Sequence, residues 1–439
     1  LAEAARGLVI AAPRSGSGKT TVTLGLARAL VRRGLAVAPA KTGPDYIDAA
    51  FLARAAGRPA VTLDPWAMGA DRLGALASVH AEDADLLLVE GVMGLFDGAV
   101  SGTGSTADLA AALGLPVILV IDCDRQAQSV AALALGFVRF RADVAVVGVV
   151  LNRVASPRHE AMLRDALDAA GVPVLGALGR SDGLVAPSRH LGLVLPGDMP
   201  DADRFLERAA DAVGAGLDLD AVLACAAPVP LTGAGRAPAP LAPLGQHIAI
   251  ARDAAFAFVY PHLLAGWQAQ GATLSFFSPL ADEAPGEGAD AVFLPGGYPE
   301  LHGRTLGAAR GFAAGLAAAR DRGGLIYGEC GGFMVLGQSL TDREGATHKM
   351  TGLLPVSTRI DRPRRVLGYR TLTHASPLPW PGALRGHEFH YSSADAPDLP
   401  PLFVAEDAGG APRGSMGVIL GRVMGSYAHV IDAAQGVAP

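Results

Sequence analysis

The sequence predicts two successive α/β domains, each built on a buried parallel sheet with helices packed against it. Three observations point there. At 439 residues the chain exceeds one ordinary domain of about 150 residues and has room for two or three, each with its own core. Half of its residues are hydrophobic and 18% are charged, a balance that excludes a disordered chain. Short runs of Val, Ile and Leu alternate with Ala/Leu-rich stretches, which is how strands buried on both faces read.

In chain order, the first half places strands at 7–12, 35–40, 85–90, 116–122, 144–151 and 172–177, with an amphipathic helix at 22–33. Pro228, Pro230, Pro238, Pro240 and Pro243 then fall close together, a composition that favours an extended linker over helix or sheet. The expected organisation is a first domain over 1–225, a Pro/Ala/Gly-rich linker over 226–245 and a second domain over 246–439. Strand-like runs resume at 247–251, 273–278, 291–294, 325–329, 417–420 and 426–431, with helical stretches at 306–320 and 333–340.

Lys and Arg number 36 against 42 Asp and Glu, a net charge of −6 that lacks the basic excess needed to grip a phosphate backbone. Nucleic acid is not an expected partner. No apolar run reaches the roughly 18 residues of a membrane span, and the first residues lack a basic-then-apolar layout. No membrane partner and a cytoplasmic location are therefore expected. The sequence leaves the oligomeric state open, a homodimer included. Cys123, Cys225 and Cys330 form neither a disulfide framework nor a CxxC pair. Cys123 and Cys225 read as inert thiols. Lys19, Lys41 and Lys349 are the three lysines of the chain, so a lysine inside a motif carries more information than usual.

The first strand runs into Pro13-Arg14-Ser15-Gly16-Ser17-Gly18-Lys19-Thr20-Thr21 and then a helix. Backbone N–H groups of such a loop surround phosphate oxygens, Lys19 reaches the outer phosphates, and the Thr20 hydroxyl suits a Mg²⁺ position. The usual pattern has Gly five residues before Gly18, where this chain has Pro13. A tight turn that merely contains GKT is the plainer reading, and the strand-to-helix context argues against it. Glu90 ends a buried strand, where ligands of open α/β sheets collect and a carboxylate can hold Mg²⁺ directly or through water. Lys41, Asp45, Tyr46 and Asp48 follow another strand end. Together these residues suggest MgATP beside an anionic acceptor, with Gly16, Ser17, Gly18, Lys19, Thr20, Thr21 and Lys41 on the nucleotide and Thr20, Asp48 and Glu90 as metal candidates.

In the second half, a strand ends in Gly328-Glu329-Cys330-Gly331-Gly332 and passes into a helix. A nucleophile at such a turn needs small neighbours and sits at a helix N-terminus that favours thiolate. An ordinary Cys pKa of about 8.5 still leaves mostly thiol at neutral pH, so Cys330 needs a base. His429, at the end of a late strand, is the candidate. The loop 294–300 brings the Gly297 N–H near the reacting carbonyl, and with the Gly331 N–H it makes an oxyanion hole. An inert thiol at a glycine turn is the alternative.

Taken in order, SGSGKTT, KTGPDYID, EGVMGLFDG, LPGGYPE, GECGG and GHEFHYS cover nearly the whole chain. This series resembles the cobyrinic acid a,c-diamide synthase family, which includes the hydrogenobyrinic acid enzymes. The resemblance implies a dethiobiotin synthetase-like P-loop domain followed by a class I glutamine amidotransferase-like domain. It implies that Cys330 attacks the glutamine amide with His429 assisting proton transfer. Ammonia then passes to the other domain, where ATP activates the a and c carboxylates of a corrin-ring polycarboxylate of cobalamin biosynthesis. Lys19 and Lys41 would neutralise phosphate charge, and Asp45, Tyr46 and Asp97 would lie near the acceptor. The expected cofactor is Mg²⁺, with ATP as co-substrate.

One position departs from the wider amidotransferase class, which often has Glu two residues after the His; here it is Ile431. A dyad of Cys330 and His429 is then expected, with a backbone carbonyl or Glu388 orienting the ring. The arginines 359, 362, 364, 365 and 370 read as a solvated basic edge. His387 and His390 lack further ligands at zinc spacing and are assigned to the site wall. Two other functions compete. One is cobyric acid synthase-type amidation of other corrin carboxylates. The other is a P-loop switch ATPase, against which Arg14 stands where such proteins keep a signature lysine.

Overall fold

The computed structural model describes residues 5–184, 195–230 and 240–434. The chain divides into two compact units, Leu1–Pro238 and Ala239–Pro439. In the first unit, seven strands pair in the order β3-β2-β4-β1-β5-β6-β7. They are β1 (Arg6–Ala11), β2 (Val37–Thr42), β3 (Val61–Leu63), β4 (Leu86–Glu90), β5 (Val117–Asp122), β6 (Val146–Val154) and β7 (Val174–Gly179). Every pairing along this path is parallel, with Leu8 opposite Leu88 and Val9 opposite Val117. The strand at 61–63 escapes the sequence reading because three residues are too few for a recognisable apolar run.

Helix α1 (Lys19–Arg32) follows β1 and presents Val22, Leu26 and Leu30 to the core beside Leu8, Ile10 and Leu88, all at most 1% exposed. At Gly25 a Cβ would press on the Ala209 carbonyl, so α1 and the helix Ala202–Gly216 lie in backbone contact. Helix α2 (Tyr46–Ala56) opens on Asp45, whose Oδ1 accepts from the Ile47 and Asp48 N–H groups, both at 2.9 Å. Of the proline-rich stretch, Ala227–Pro228 forms a short strand, β8, antiparallel to the start of β1, and Ala226 and Val229 are buried. Residues 231–239 of the expected linker lie outside the described residues.

In the second unit a parallel sheet is ordered β10-β9-β11-β12 and then Val423–Ser426, with Val418–Leu420 antiparallel at its edge. The strands are β9 (His247–Ala251), β10 (Thr273–Phe277), β11 (Ala291–Leu294) and β12 (Leu325–Glu329). The single strand expected at 426–431 is two strands, Val423–Ser426 and Ala428–Ala433, broken at Tyr427. The Ser426 hydroxyl accepts the Ala428 N–H at 3.1 Å and turns the chain there. His429 therefore lies at the start of a strand in a second, antiparallel sheet ordered Pro412–Met416, Phe403–Asp407, Val366–Thr373, Leu384–His390 and Ala428–Ala433. Polar residues fill much of those strands, which hid them from a search for apolar runs. The helix expected at 306–320 is two, Gly303–Ala308 and Arg310–Asp321, and the one expected at 333–340 is Gly331–Leu336. Among the described residues no helix is long and apolar enough to cross a membrane.

Candidate active sites

The first site forms where β1 gives way to α1. Gly16 and Gly18 hold φ of 80° and 89°, values that side-chain-bearing residues rarely adopt, and the loop turns sharply into the helix. A Cβ at Gly18 would also collide with the Asn152 amide, whose Nδ2 donates to the Ser17 carbonyl at 2.8 Å. Below the loop, Lys19 Nζ and the Thr20 hydroxyl both donate to Glu90 Oε1, at 2.7 and 2.6 Å. Lys41 Nζ stands 3.5 Å from the same oxygen, 3.0 Å from Asp48 Oδ2 and 2.8 Å from the Gly91 carbonyl. Glu90 is fully buried and Lys41 is 1% exposed.

Two buried ammonium groups on one buried carboxylate set the electrostatics. Burial lowers the Lys19 pKa, with Glu90 only partly offsetting it and Lys41 adding to the fall. Burial also works against the Lys41 charge, but Glu90, Asp48 and Asp45 outweigh it and raise that pKa. Beside these groups lies a cavity of about 430 Å³, lined in part by Gly16, Thr20, Lys41, Asp45, Asp48 and Arg153. Glu90 Oε2 is buried without a hydrogen-bond partner. With the Thr20 hydroxyl and the Asp48 carboxylate it is a set of hard oxygen donors, which suits Mg²⁺.

The remaining expected residues divide. Asp45 caps α2 and lines the cavity. Tyr46 is the first residue of α2 and half-buried. Thr21 donates to the Leu184 carbonyl at 3.2 Å. Asp97 is exposed, and its Oδ2 accepts the Gly94 N–H at 2.9 Å within a turn. Asn152 and Arg153, at the end of β6, were missed by the sequence reading, although their strand was found. Arg153 and Arg14 both pair with Asp122, at 2.7 and 3.1 Å.

The second site forms after β12. Cys330 adopts φ 47° and ψ −105°, a strained turn between strand and helix. Its N–H donates to the Ser426 carbonyl at 2.8 Å. Gly296 lies against both Cys330 and the His429 ring, since a Cβ there would sit 3.3 Å from the Cys330 Cβ and overlap the imidazole. The Gly297 nitrogen is 3.0 Å from where a Cβ on Gly331 would stand, so the two expected oxyanion amides are neighbours. His429 is 1% exposed and stacks on His387, ring centroids 5.0 Å apart. The Tyr260 hydroxyl is 3.2 Å from His387 Nδ1.

Burial dominates the protonation states here. It raises the Cys330 thiol, with Glu300 adding to it, so the N-terminus of the short following helix does not outweigh the loss of solvent. It pushes His429 well below its ordinary value, and His387 down to about 3. It lifts Glu329 to about 8, against the hydrogen bonds from the Val430 N–H and the Tyr327 hydroxyl. Burial thus disfavours the charged forms of Cys330, His429 and Glu329 alike. Glu388, one of the two groups expected to orient His429, instead pairs with Arg370 at 2.6 Å and with His390 at 3.3 Å. Arg370 is accordingly 5% exposed and leaves the solvated edge assigned to it, whereas Arg359 does pair at the surface with Asp361. His390 stacks on Tyr427 at 3.9 Å. Burial raises the Cys123 thiol, to about 12, and the Cys225 thiol as well, so what sets Cys330 apart is its strained turn beside the His429 ring and not its acidity.

A phosphate cradle in one α/β unit and a cysteine elbow beside an imidazole in the other define a nucleotide-binding glutamine amidotransferase. Residues 8–194 match the CobQ/CobB/MinD/ParA nucleotide binding domain, and residues 247–436 match the CobB/CobQ-like glutamine amidotransferase domain. Hydrogenobyrinate a,c-diamide synthase of Rhizobium meliloti is 53% identical over 427 residues, 97% of this chain and 99% of that protein. The protein of that name from Rhodobacter capsulatus is 52% identical over 439 residues, 98% of this chain and all of its own length. Among solved structures, a glutamine amidotransferase from Thermotoga maritima covers 42% of this chain and 75% of its own at 16% identity and TM-score 0.30. The chain belongs to the hydrogenobyrinate a,c-diamide synthase family.

Proposed function

We propose that this protein converts the a and c side-chain carboxylates of hydrogenobyrinate to amides in the cytoplasm, taking nitrogen from glutamine and driving each step with MgATP. The observation that carries the reading is the presence of both a phosphate cradle and a thiol–imidazole pair in a chain that matches such synthases end to end. A carboxylate resists ammonia because its carbon is electron-rich and oxide is a poor leaving group. Transfer of the γ-phosphoryl group to a carboxylate oxygen gives an acyl phosphate and ADP, and the leaving group becomes phosphate. Thr20, Asp48 and Glu90 would hold Mg²⁺, which supplies charge neutralisation on the phosphates. Lys19 and Lys41 supply the rest, and Asp45, Tyr46 and Asp97 are assigned to the acceptor side.

At the other site the Cys330 sulfur bonds to the glutamine amide carbon as its proton moves to His429. The Gly297 and Gly331 N–H groups receive the oxyanion. His429 returns the proton to the departing nitrogen, ammonia leaves, and water hydrolyses the thioester to glutamate. Ammonia then displaces phosphate from the acyl carbon. The test incubates hydrogenobyrinate and, separately, cobyrinate with MgATP and either glutamine or ammonium, and counts added amides by mass spectrometry. Two amides on hydrogenobyrinate are expected. Cys330→Ala should lose product from glutamine and keep product from ammonium. Four amides, or a Cys330→Ala protein still active with glutamine, would overturn the reading.

A further inference from the structure

We propose that Glu329, the residue before the nucleophile, is the positioning residue for His429 and takes the place left open by Ile431. This inference rests on the glutaminase reading above. Glu329 ends β12 and is 2% exposed; His429 and Val430, on the strand Ala428–Ala433, are 1% and 0% exposed. The Glu329 carboxyl is held from two sides. Its Oε1 accepts the Tyr327 hydroxyl at 2.9 Å and the Val430 N–H at 3.1 Å, and its Oε2 is turned to His429 Nδ1 at 3.8 Å. The two hydrogen bonds fix the carboxyl, and the carboxyl faces the ring.

The chemistry explains why an acid is kept in so costly a place. When the thiol proton moves to His429, an imidazolium forms inside the protein with His387 stacked on it, a site where burial already disfavours that charge. A carboxylate at Nδ1 balances it and holds the ring in line with the sulfur. A gap of 3.8 Å is an ion-pair distance, and catalytic contacts of this kind tighten when substrate binds. The alternative support from Glu388 is engaged by Arg370 and His390. Around Glu329 and His429 the ionisable groups are Tyr327 on the same strand, Cys330 with Glu300, and His387, Glu388 and His390 on the neighbouring strand. Of these, Tyr327 touches the carboxyl directly and keeps it more acidic than burial alone would.

Glu329→Gln keeps the volume and an oxygen for both donors, and removes the charge. Glutamine-dependent kcat should fall by about 100-fold. The KM for glutamine should change less than about twofold, since substrate contacts are intact. Amidation from ammonium reports folding, because it bypasses the thiol. Tyr327→Phe removes one hydrogen bond to the carboxylate and should move the acidic limb of the glutamine-dependent kcat/KM profile to higher pH. Wild-type kcat with glutamine in Glu329→Gln, or an unmoved limb in Tyr327→Phe, would overturn the proposal. Should Glu329→Gln lose ammonium-dependent amidation as well, the Tyr327→Phe profile decides. A Cys330→Ala protein that retains glutamine-dependent product would instead sink the glutaminase reading itself.

Discussion

Lys41 and Glu329 are ionisable groups buried away from water, and each makes a measurable claim. Lys41→Met removes the cation facing Glu90 and Asp48, leaving Glu90 buried with only Lys19 to compensate. Breaking a buried pair from one side costs about 3–5 kcal/mol, so the urea midpoint should fall accordingly, and ATP-dependent amidation should be lost with either nitrogen source. Glu329 ionises near 4.5 when unfolded and at about 8 when folded, so between those values the folded chain holds the extra proton and stability falls as pH rises. His387, lowered from 6.5 to about 3, acts in the opposite sense below pH 6.5. From pH 6.5 to 8 the Glu329 effect stands alone of the two, and Glu329→Gln should flatten a decline of up to about 1.4 kcal/mol per pH unit in urea unfolding. The turns that carry Lys19 and Cys330 were legible because glycines and strand ends mark them. Glu329 stands in the same GECGG stretch as Cys330, yet what it faces depends on where the chain goes after Ser426, a turn of one residue that no periodicity announces.

At the scale of elements, two helix glycines with opposite surroundings test how tightly each helix is packed. In the helix Gly331–Leu336, a Cβ on Gly332 would be driven into the Leu294 carbonyl of β11, which is fixed by its sheet partners. Gly332→Ala should destabilise by about 3 kcal/mol, the upper range of overpacking, and lower glutamine-dependent activity with it. Gly136 lies inside the helix Ser129–Phe140 with no atom within 4 Å of its missing Cβ. There Ala removes backbone entropy from the unfolded chain, and Gly136→Ala should gain about 0.5–1 kcal/mol in the same chemical denaturation. The parallel strands were readable because burial on both faces demands unbroken Val, Ile and Leu. Of the strands His247–Ala251, Ala291–Leu294 and Leu325–Glu329 even the ends coincide with the sequence reading. The antiparallel sheet that carries His387 and His429 was not, since Leu384–His390 mixes Arg, Gly, His and Glu with two apolar residues.

At the scale of the whole molecule, one chain carries both the nucleotide site and the thiol site. An acyl phosphate survives only where water is excluded, and ammonia released to bulk solvent is protonated and diluted. Were ammonia to pass from one site to the other within the chain, the second encounter would be intramolecular, with an effective concentration that free ammonia does not reach. Cys330→Ala should keep the acceptor chemistry and lose the glutaminase, and Lys41→Met should do the reverse. Mixed in equal amounts, the two proteins contain every working part, but in different chains. If nitrogen passes within a chain, the mixture with glutamine and MgATP should form only a few per cent of the wild-type product, while added ammonium restores the Cys330→Ala share. Near wild-type synthesis by the mixture, at enzyme concentrations low enough to keep free ammonia scarce, would show that nitrogen travels through solvent. Joining the sites in one chain would then serve stoichiometry rather than transfer.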